Sequence, residues 1–96
     1  MNRALRIRPA VKRQVERAAR RYDRRNKRNG AEFRAAVEAA ISSIHENPLR
    51  HAGIGQVRRA LTRGFPYMVV FEVSDERILV TDCVHQHRDP RRWMRG

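Results

Sequence analysis

Apolar residues recur at helical spacing twice in the first half of the chain and at strand spacing in the second. This change of period limits the fold more than any other feature. Val11, Val15, Ala18, Ala19 and Tyr22 fall at offsets 0, 4, 7, 8 and 11, a single stripe on a helix of about 3.6 residues per turn. Phe33, Val37, Ala40, Ile41 and Ile44 repeat those offsets. Pro9 suits the first helical position, since its missing N–H would be unbonded there anyway. Asn47-Pro48 closes the second helix, because a residue preceding proline is pushed out of the α region. Between the two, Asn26-Lys27-Arg28-Asn29-Gly30 has the composition of a turn, and the pair makes an αα-hairpin. Any two amphipathic helices share such offsets, so no internal repeat is inferred. The stripes are core packing.

Residues 4–8 alternate Leu5 and Ile7 with Arg6 and Arg8, the pattern of a short strand with one buried face. After the hairpin, Pro48, Gly53 and Gly55 mark residues 48–55 as a loop. Three strand candidates follow, at 56–62, 65–73 and 77–85. Arg63-Gly64 and Ser74-Asp75-Glu76 separate them, gaps short enough for hairpins, and the three should form an antiparallel meander. Phe65, Tyr67, Val69, Phe71 and Val73 share one face of the middle strand, with apolar Met68 and Val70 on the other, which marks it as central. Because the helical hairpin returns the chain to its starting end, the first strand is expected antiparallel to the second. The expected class is α+β: a strand, a helical hairpin and a three-stranded meander, in one sheet with both helices packed on one face.

Ninety-six residues make a single domain, 1–96, and leave no room for a second core. A domain of this size buries only about 60–65% of the surface its unfolded chain exposes, so a bound partner would add appreciably to stability. The 41% apolar content speaks for a folded chain. Charge is lopsided: the net formal charge is +12, and residues 1–28 hold twelve Lys/Arg against two acids. Such a surface steers a protein toward polyanions or acidic segments. Arg13, Arg17, Arg20, Arg21, Arg24 and Arg28 lie opposite the first apolar stripe. The 20 arginines against 2 lysines fit bidentate phosphate contacts and, equally, a coding bias. Cys83 is the only cysteine, which excludes an intramolecular disulfide and a Cys-based metal site, and fits a reducing cytoplasm. The longest uncharged run, residues 64–71, is far short of the ~20 residues of a membrane span, and no secretion signal is visible.

If the turn at 74–76 is tight, facing positions sum to roughly 150, which puts Phe65 near His85 and Arg63 near His87. One sheet edge then collects Arg63, His85, His87 and Arg88: two imidazoles able to move protons near neutrality and two guanidiniums able to hold a phosphodiester. The plain alternative is that strand ends reach solvent and an arginine-rich chain places arginines anywhere. His45 and His51 are expected at the surface. His85 and His87 have the spacing of two metal ligands but no third is evident, so neither metal nor cofactor is expected. No Gly-rich phosphate loop, Ser/His/Asp set or cysteine nucleophile motif occurs.

The order of elements, the segment Val57-Arg58-Arg59-Ala60-Leu61 before Phe65-Pro66-Tyr67-Met68-Val69-Val70-Phe71, and the closing His85-Gln86-His87-Arg88-Asp89-Pro90 with Trp93 resemble the RelE/ParE toxins of bacterial type II toxin–antitoxin modules over nearly the whole chain. The resemblance implies a cytoplasmic, growth-inhibiting toxin held inactive by an acidic antitoxin encoded beside it, with DNA contacted through the antitoxin complex. RelE-like members cleave mRNA on the ribosome with Arg, Lys and a Tyr or His; ParE-like members lack that set and poison DNA gyrase. Arg63 and Arg88 match family arginines. Trp93 or Met94 stands near the RelE-type tyrosine, and no lysine occurs between residues 50 and 62. The resemblance is therefore closer to the ParE side, with the mRNA endonuclease as alternative and a non-toxic nucleic-acid-binding module as a third reading. It implies target contacts at Arg58, Arg63, His85, Arg88 and Trp93. For a ribonuclease, His85 and His87 would be the proton carriers and Arg63 and Arg88 the cations. The antitoxin is expected along Arg13, Arg17, Arg20 and Arg24.

Overall fold

Two helical stripes followed by alternating strands give, in order, β1 (Ala4–Ile7), α1 (Pro9–Arg25), α2 (Lys27–Glu46), a single 3-10 turn (Pro48–Arg50), β2 (Gly53–Ile54), β3 (Val57–Leu61), β4 (Tyr67–Val73) and β5 (Arg77–His85). This is the architecture of a computed structural model, which describes residues 3–87. The strands form one sheet in the order β1-β5-β4-β3-β2. Both helices pack on one face, the expected α+β class.

The turn expected over five residues shrinks to one. Asn26 alone is extended, at φ −161°; its N–H donates to Tyr22 O, and its side chain accepts from Arg28 N. One residue thus ends α1 and caps α2. Beside it the Asp23 carboxylate accepts the Gly30 N–H at 3.0 Å, in space that a Cβ on Gly30 would need.

The stripes meet the sheet as their spacing requires. Val11, Ala18 and Ala19 of α1 and Phe33, Val37, Ala40 and Ile44 of α2 are buried against Tyr67, Val69, Phe71 and Val73 of β4 and Ile78, Val80 and Cys83 of β5. The Phe33 ring lies 5.1 Å from Tyr67 and 5.3 Å from Phe65, both edge to face, an arrangement aromatic quadrupoles favour. On the reverse face Met68, Val70 and Val84 are buried as well, as a central strand apolar on both sides requires.

Three expectations need correction. The first strand runs parallel to its neighbour β5 and parallel to β3. The cause is β2, hidden in the segment expected as loop: Gly53 and Ile54 pair antiparallel with Arg58 and Val57 across a two-residue turn. Gly55 sits in that turn at φ +60°, a backbone region that glycine enters without steric cost. This extra reversal turns β3 round. Second, β1 is an edge strand in which Leu5 packs on the core while Ile7, at its exit, is 46% exposed.

The third correction is the β4–β5 register. His85 faces Tyr67, not Phe65. The hairpin closes with a two-residue turn, Ser74 N–H donating to Arg77 O, and Thr81 is an extra residue in β5, since Val70 faces Asp82 while Phe71 faces Val80. Such a bulge reverses the alternation beyond it. Ile78 and Val80 point to the helices before it, Cys83 after it. His85 consequently shares the helix side with Tyr67.

Candidate functional site

β1 ends at Ile7 and covers β5 only as far as Val80. Beyond that point Gln14 of α1 takes the place of a strand: its Oε1 accepts the Cys83 N–H at 2.8 Å and its Nε2 donates to Asp82 Oδ1 at 3.1 Å. Pinning α1 to this edge leaves a cleft of about 280 Å³ between the helix and the end of the sheet. It is lined by Gln14, Arg17, Arg21, Tyr67, Cys83 and His85, with Val84 below. Among the described residues no carboxylate lines it. The Tyr67 and His85 rings are 5.4 Å apart and nearly perpendicular, and the His87 ring lies 5.1 Å from His85. His87 N–H donates to His85 Nδ1 at 3.2 Å. That bond requires an unprotonated Nδ1, so any proton the ring carries sits on Nε2.

The cleft opens onto a groove along α1 lined by Lys12, Arg13, Glu16, Arg17, Arg20, Arg21 and Arg24. Glu16, the one acid there, is already engaged: Arg34 of α2 grips it bidentately at 3.0 and 2.9 Å. That hydrogen bonding holds the Glu16 carboxyl below, and the Arg34 guanidinium above, their ordinary values. The remaining charges in the groove are cations, all exposed.

The residues singled out from sequence separate into groups. His85 and His87 are together; Arg63 is exposed in the turn between β3 and β4, and no hydrogen bond joins it to either histidine. Arg58 is half-buried and occupied, its Nη1 donating to His51 O at 2.7 Å and its Nε buried without a partner. It ties the loop after α2 to β3. Arg88 and Trp93 lie outside the described residues. His45 is exposed as expected; His51 is half-buried, beside Ser43 Oγ and the Phe71 ring. Burial pushes the Cys83 thiol up to about 12, aided by Asp82, which removes it as a nucleophile near neutrality. Tyr22 is raised by burial and by the nearby Tyr67. Among the described residues no three His, Cys, Asp or Glu side chains gather as a metal site, and no helix is long and apolar enough to cross a membrane.

Sequence reasoning missed Arg21 and Tyr67 as cleft residues. Tyr67 reads as sheet packing, and its ring is packed. What brings it beside His85 is the bulge, whose one sequence trace is Asp82, a carboxylate where the Ile78, Val80 alternation calls for an apolar residue.

The family model for the ParE toxin of the type II toxin–antitoxin system, parDE, matches residues 5–90. A solved structure, the chromosomal ParDE toxin–antitoxin system from P. aeruginosa, superposes with a TM-score of 0.72 at 13% identity, over 86% of this chain and 95% of that one. At that identity the likeness concerns the fold. No curated protein matches the chain.

Proposed function

The chain belongs to the ParE toxin family of type II toxin–antitoxin systems, and from that premise we propose that it arrests growth in the cytoplasm by binding and poisoning DNA gyrase, until a cognate acidic antitoxin neutralises it. The observation that carries this reading is the family match over residues 5–90. The choice of gyrase rests on the ParE side of the resemblance, with Trp93 near the RelE-type tyrosine and no lysine between residues 50 and 62. The target surface includes the sheet end bearing Arg63 and His85; Arg58, which pairs with Phe71 and lines a hollow with Val73 and Ser74, stands toward the other end, and Arg88 and Trp93, outside the described residues, are the further contacts that the resemblance implies. The antitoxin docks along Arg13, Arg17, Arg20 and Arg24, where Arg34 has already neutralised the only acid. Purified full-length chain should inhibit supercoiling by gyrase, and induction should produce double-strand breaks with an SOS response. Unimpaired supercoiling together with codon-specific cuts in mRNA would contradict the proposal.

One observation favours the endonuclease as second reading: a tyrosine and a histidine 5.4 Å apart share a cleft with two arginines, groups able to transfer protons and stabilise phosphorane charge. The double substitution His85→Gln with His87→Gln separates the two. It would reduce mRNA cleavage by orders of magnitude if the chain is a ribonuclease; if the chain is a gyrase poison, neither wild type nor variant cleaves mRNA, and the variant loses only the His85 contact to gyrase.

A further inference from the structure

We propose that the cleft between α1 and the end of β5 is a phosphate site, through which this chain itself holds the backbone of a nucleic acid without reading its bases. The proposal does not depend on which target the toxin poisons.

Three features give the cleft its chemistry. Arg17 and Arg21 stand one helical turn apart on α1 and both line it, with His85 closing the far wall. Guanidiniums present planar forks of donors that match phosphate oxygens bidentately, and among the described residues no carboxylate lines the cleft to compete for them. The second feature is a backbone donor. Gln86 N–H bonds across to Pro66 O, and Cys83 N–H turns the other way, to Gln14. Strand amides alternate, so the His85 N–H faces the open edge, toward the cleft. A backbone phosphodiester offers two charged oxygens set tetrahedrally at phosphorus, and the next phosphates along the strand repeat them, whereas the two oxygens of a carboxylate lie in one plane and end there.

The third feature concerns what lies on either side. Arg21 lines this cleft, the groove along α1 and a further hollow of about 420 Å³ shared with Arg24, Arg25 and Tyr22. The phosphate site is thus the middle of a cationic track and not an isolated pocket. From Arg13 to Arg24 the track runs about 16 Å along the helix axis, a length over which one strand of duplex DNA presents about five phosphates. Among the described residues the track offers no free tyrosine, phenylalanine or tryptophan ring for base stacking: Tyr22 packs tilted on Phe33 and edge-on to Phe65 and Tyr67, and Tyr67 packs edge-on to Phe33. Backbone contact without base stacking follows. Because Arg17 belongs also to the surface assigned to the antitoxin, an antitoxin seated on α1 would exclude the nucleic acid.

The test is fluorescence anisotropy of the full-length chain with a labelled 20-base-pair DNA duplex, a 20-nucleotide RNA and a polyglutamate peptide, across a salt series. Thymidine 5′-monophosphate serves as the minimal phosphate, followed by NMR. Variants Arg21→Gln and His85→Gln change exposed side chains, and Arg77→Gln, at the opposite end of β5, reports the loss of one charge alone. Circular dichroism establishes that each is folded. The expected result is that Arg21→Gln and His85→Gln each weaken duplex binding about tenfold, Arg77→Gln at most about twofold, and that the Arg21 variant lowers the salt slope by about one. The monophosphate should shift the Arg21 and His85 resonances. RNA bound with the same variant pattern would also support a backbone-phosphate site. Equal losses for all three variants would overturn the proposal in favour of diffuse charge, and so would polyglutamate binding at the cleft with no response to duplex, RNA or monophosphate.

Discussion

α1 and α2 carry the same apolar stripe and bury it in the same core, yet their outer faces differ. α1 presents seven cations, Lys12, Arg13, Arg17, Arg20, Arg21, Arg24 and Arg25, and its two acids are taken up, Glu16 by Arg34 and Asp23 by the Gly30 amide. α2 balances Lys27, Arg28 and Arg34 against Glu32, Glu38 and Glu46. Packing needs no such charge, since α2 packs without it. A coding bias toward arginine would act on the whole chain; it does not account for one helix carrying the excess. The inner faces belong to the fold, and the outer face of α1 is the surface we propose for the partner.

Substitutions on the two kinds of surface should therefore act on different quantities. The largest effect is expected inside: Phe33→Ala, at a side chain fully excluded from solvent, should destabilise by about 3–5 kcal/mol in chemical denaturation. If the outer face is a partner surface, Arg17→Glu with Arg20→Glu should slow antitoxin association about tenfold or more and flatten its salt dependence. Charge reversal on α2 at Lys27 and Arg28 should do much less. Equal effects from the two helices would break the distinction. Gln14→Ala should cost about 1–2 kcal/mol, since it leaves the partly buried Cys83 amide unpaired, and hydrogen exchange at that amide should quicken.

Two smaller effects depend on pH. The raised Cys83 thiol keeps its proton in the folded state up to about 12. Stability attributable to it is complete below the unfolded thiol pKa of about 8.5 and declines between there and about 12, as only the unfolded chain ionises. At pH 8 iodoacetamide should label Cys83 no faster than the chain unfolds. Glu16 is shifted the opposite way by Arg34, so its small contribution is present above the ordinary carboxylate range and is lost as pH falls below that range, through the lowered value of the folded state. The difference in stability between wild type and Glu16→Gln should shrink as the solution is acidified below the ordinary carboxylate range.

Helical periods are legible because four or five apolar residues vote for each stripe, and the outcome follows them from Val11 to Ile44. The meander is legible for the same reason, its central strand being apolar on both faces. What sequence pattern could not carry are single-residue events. β2 has two residues, too few to show a period, and its reversal decides the direction of β3 against β1. The Thr81 bulge shifts the phase of β5 by one and so delivers His85 to the helix side. The cleft depends on both that bulge and Gln14, whose amide mimics a strand that the short β1 does not supply. Charge, by contrast, was readable from the start: of the six arginines placed opposite the first stripe, five line the groove, and Arg28 belongs to α2.

The central claim is that this chain is a toxin restrained by an acidic partner, and growth tests it most directly. Induced alone in a bacterium, with soluble protein verified, it should abolish colony formation, and co-expression of its cognate antitoxin should restore growth. Normal colony counts with the folded chain accumulating, or arrest that the antitoxin does not relieve, would contradict the account.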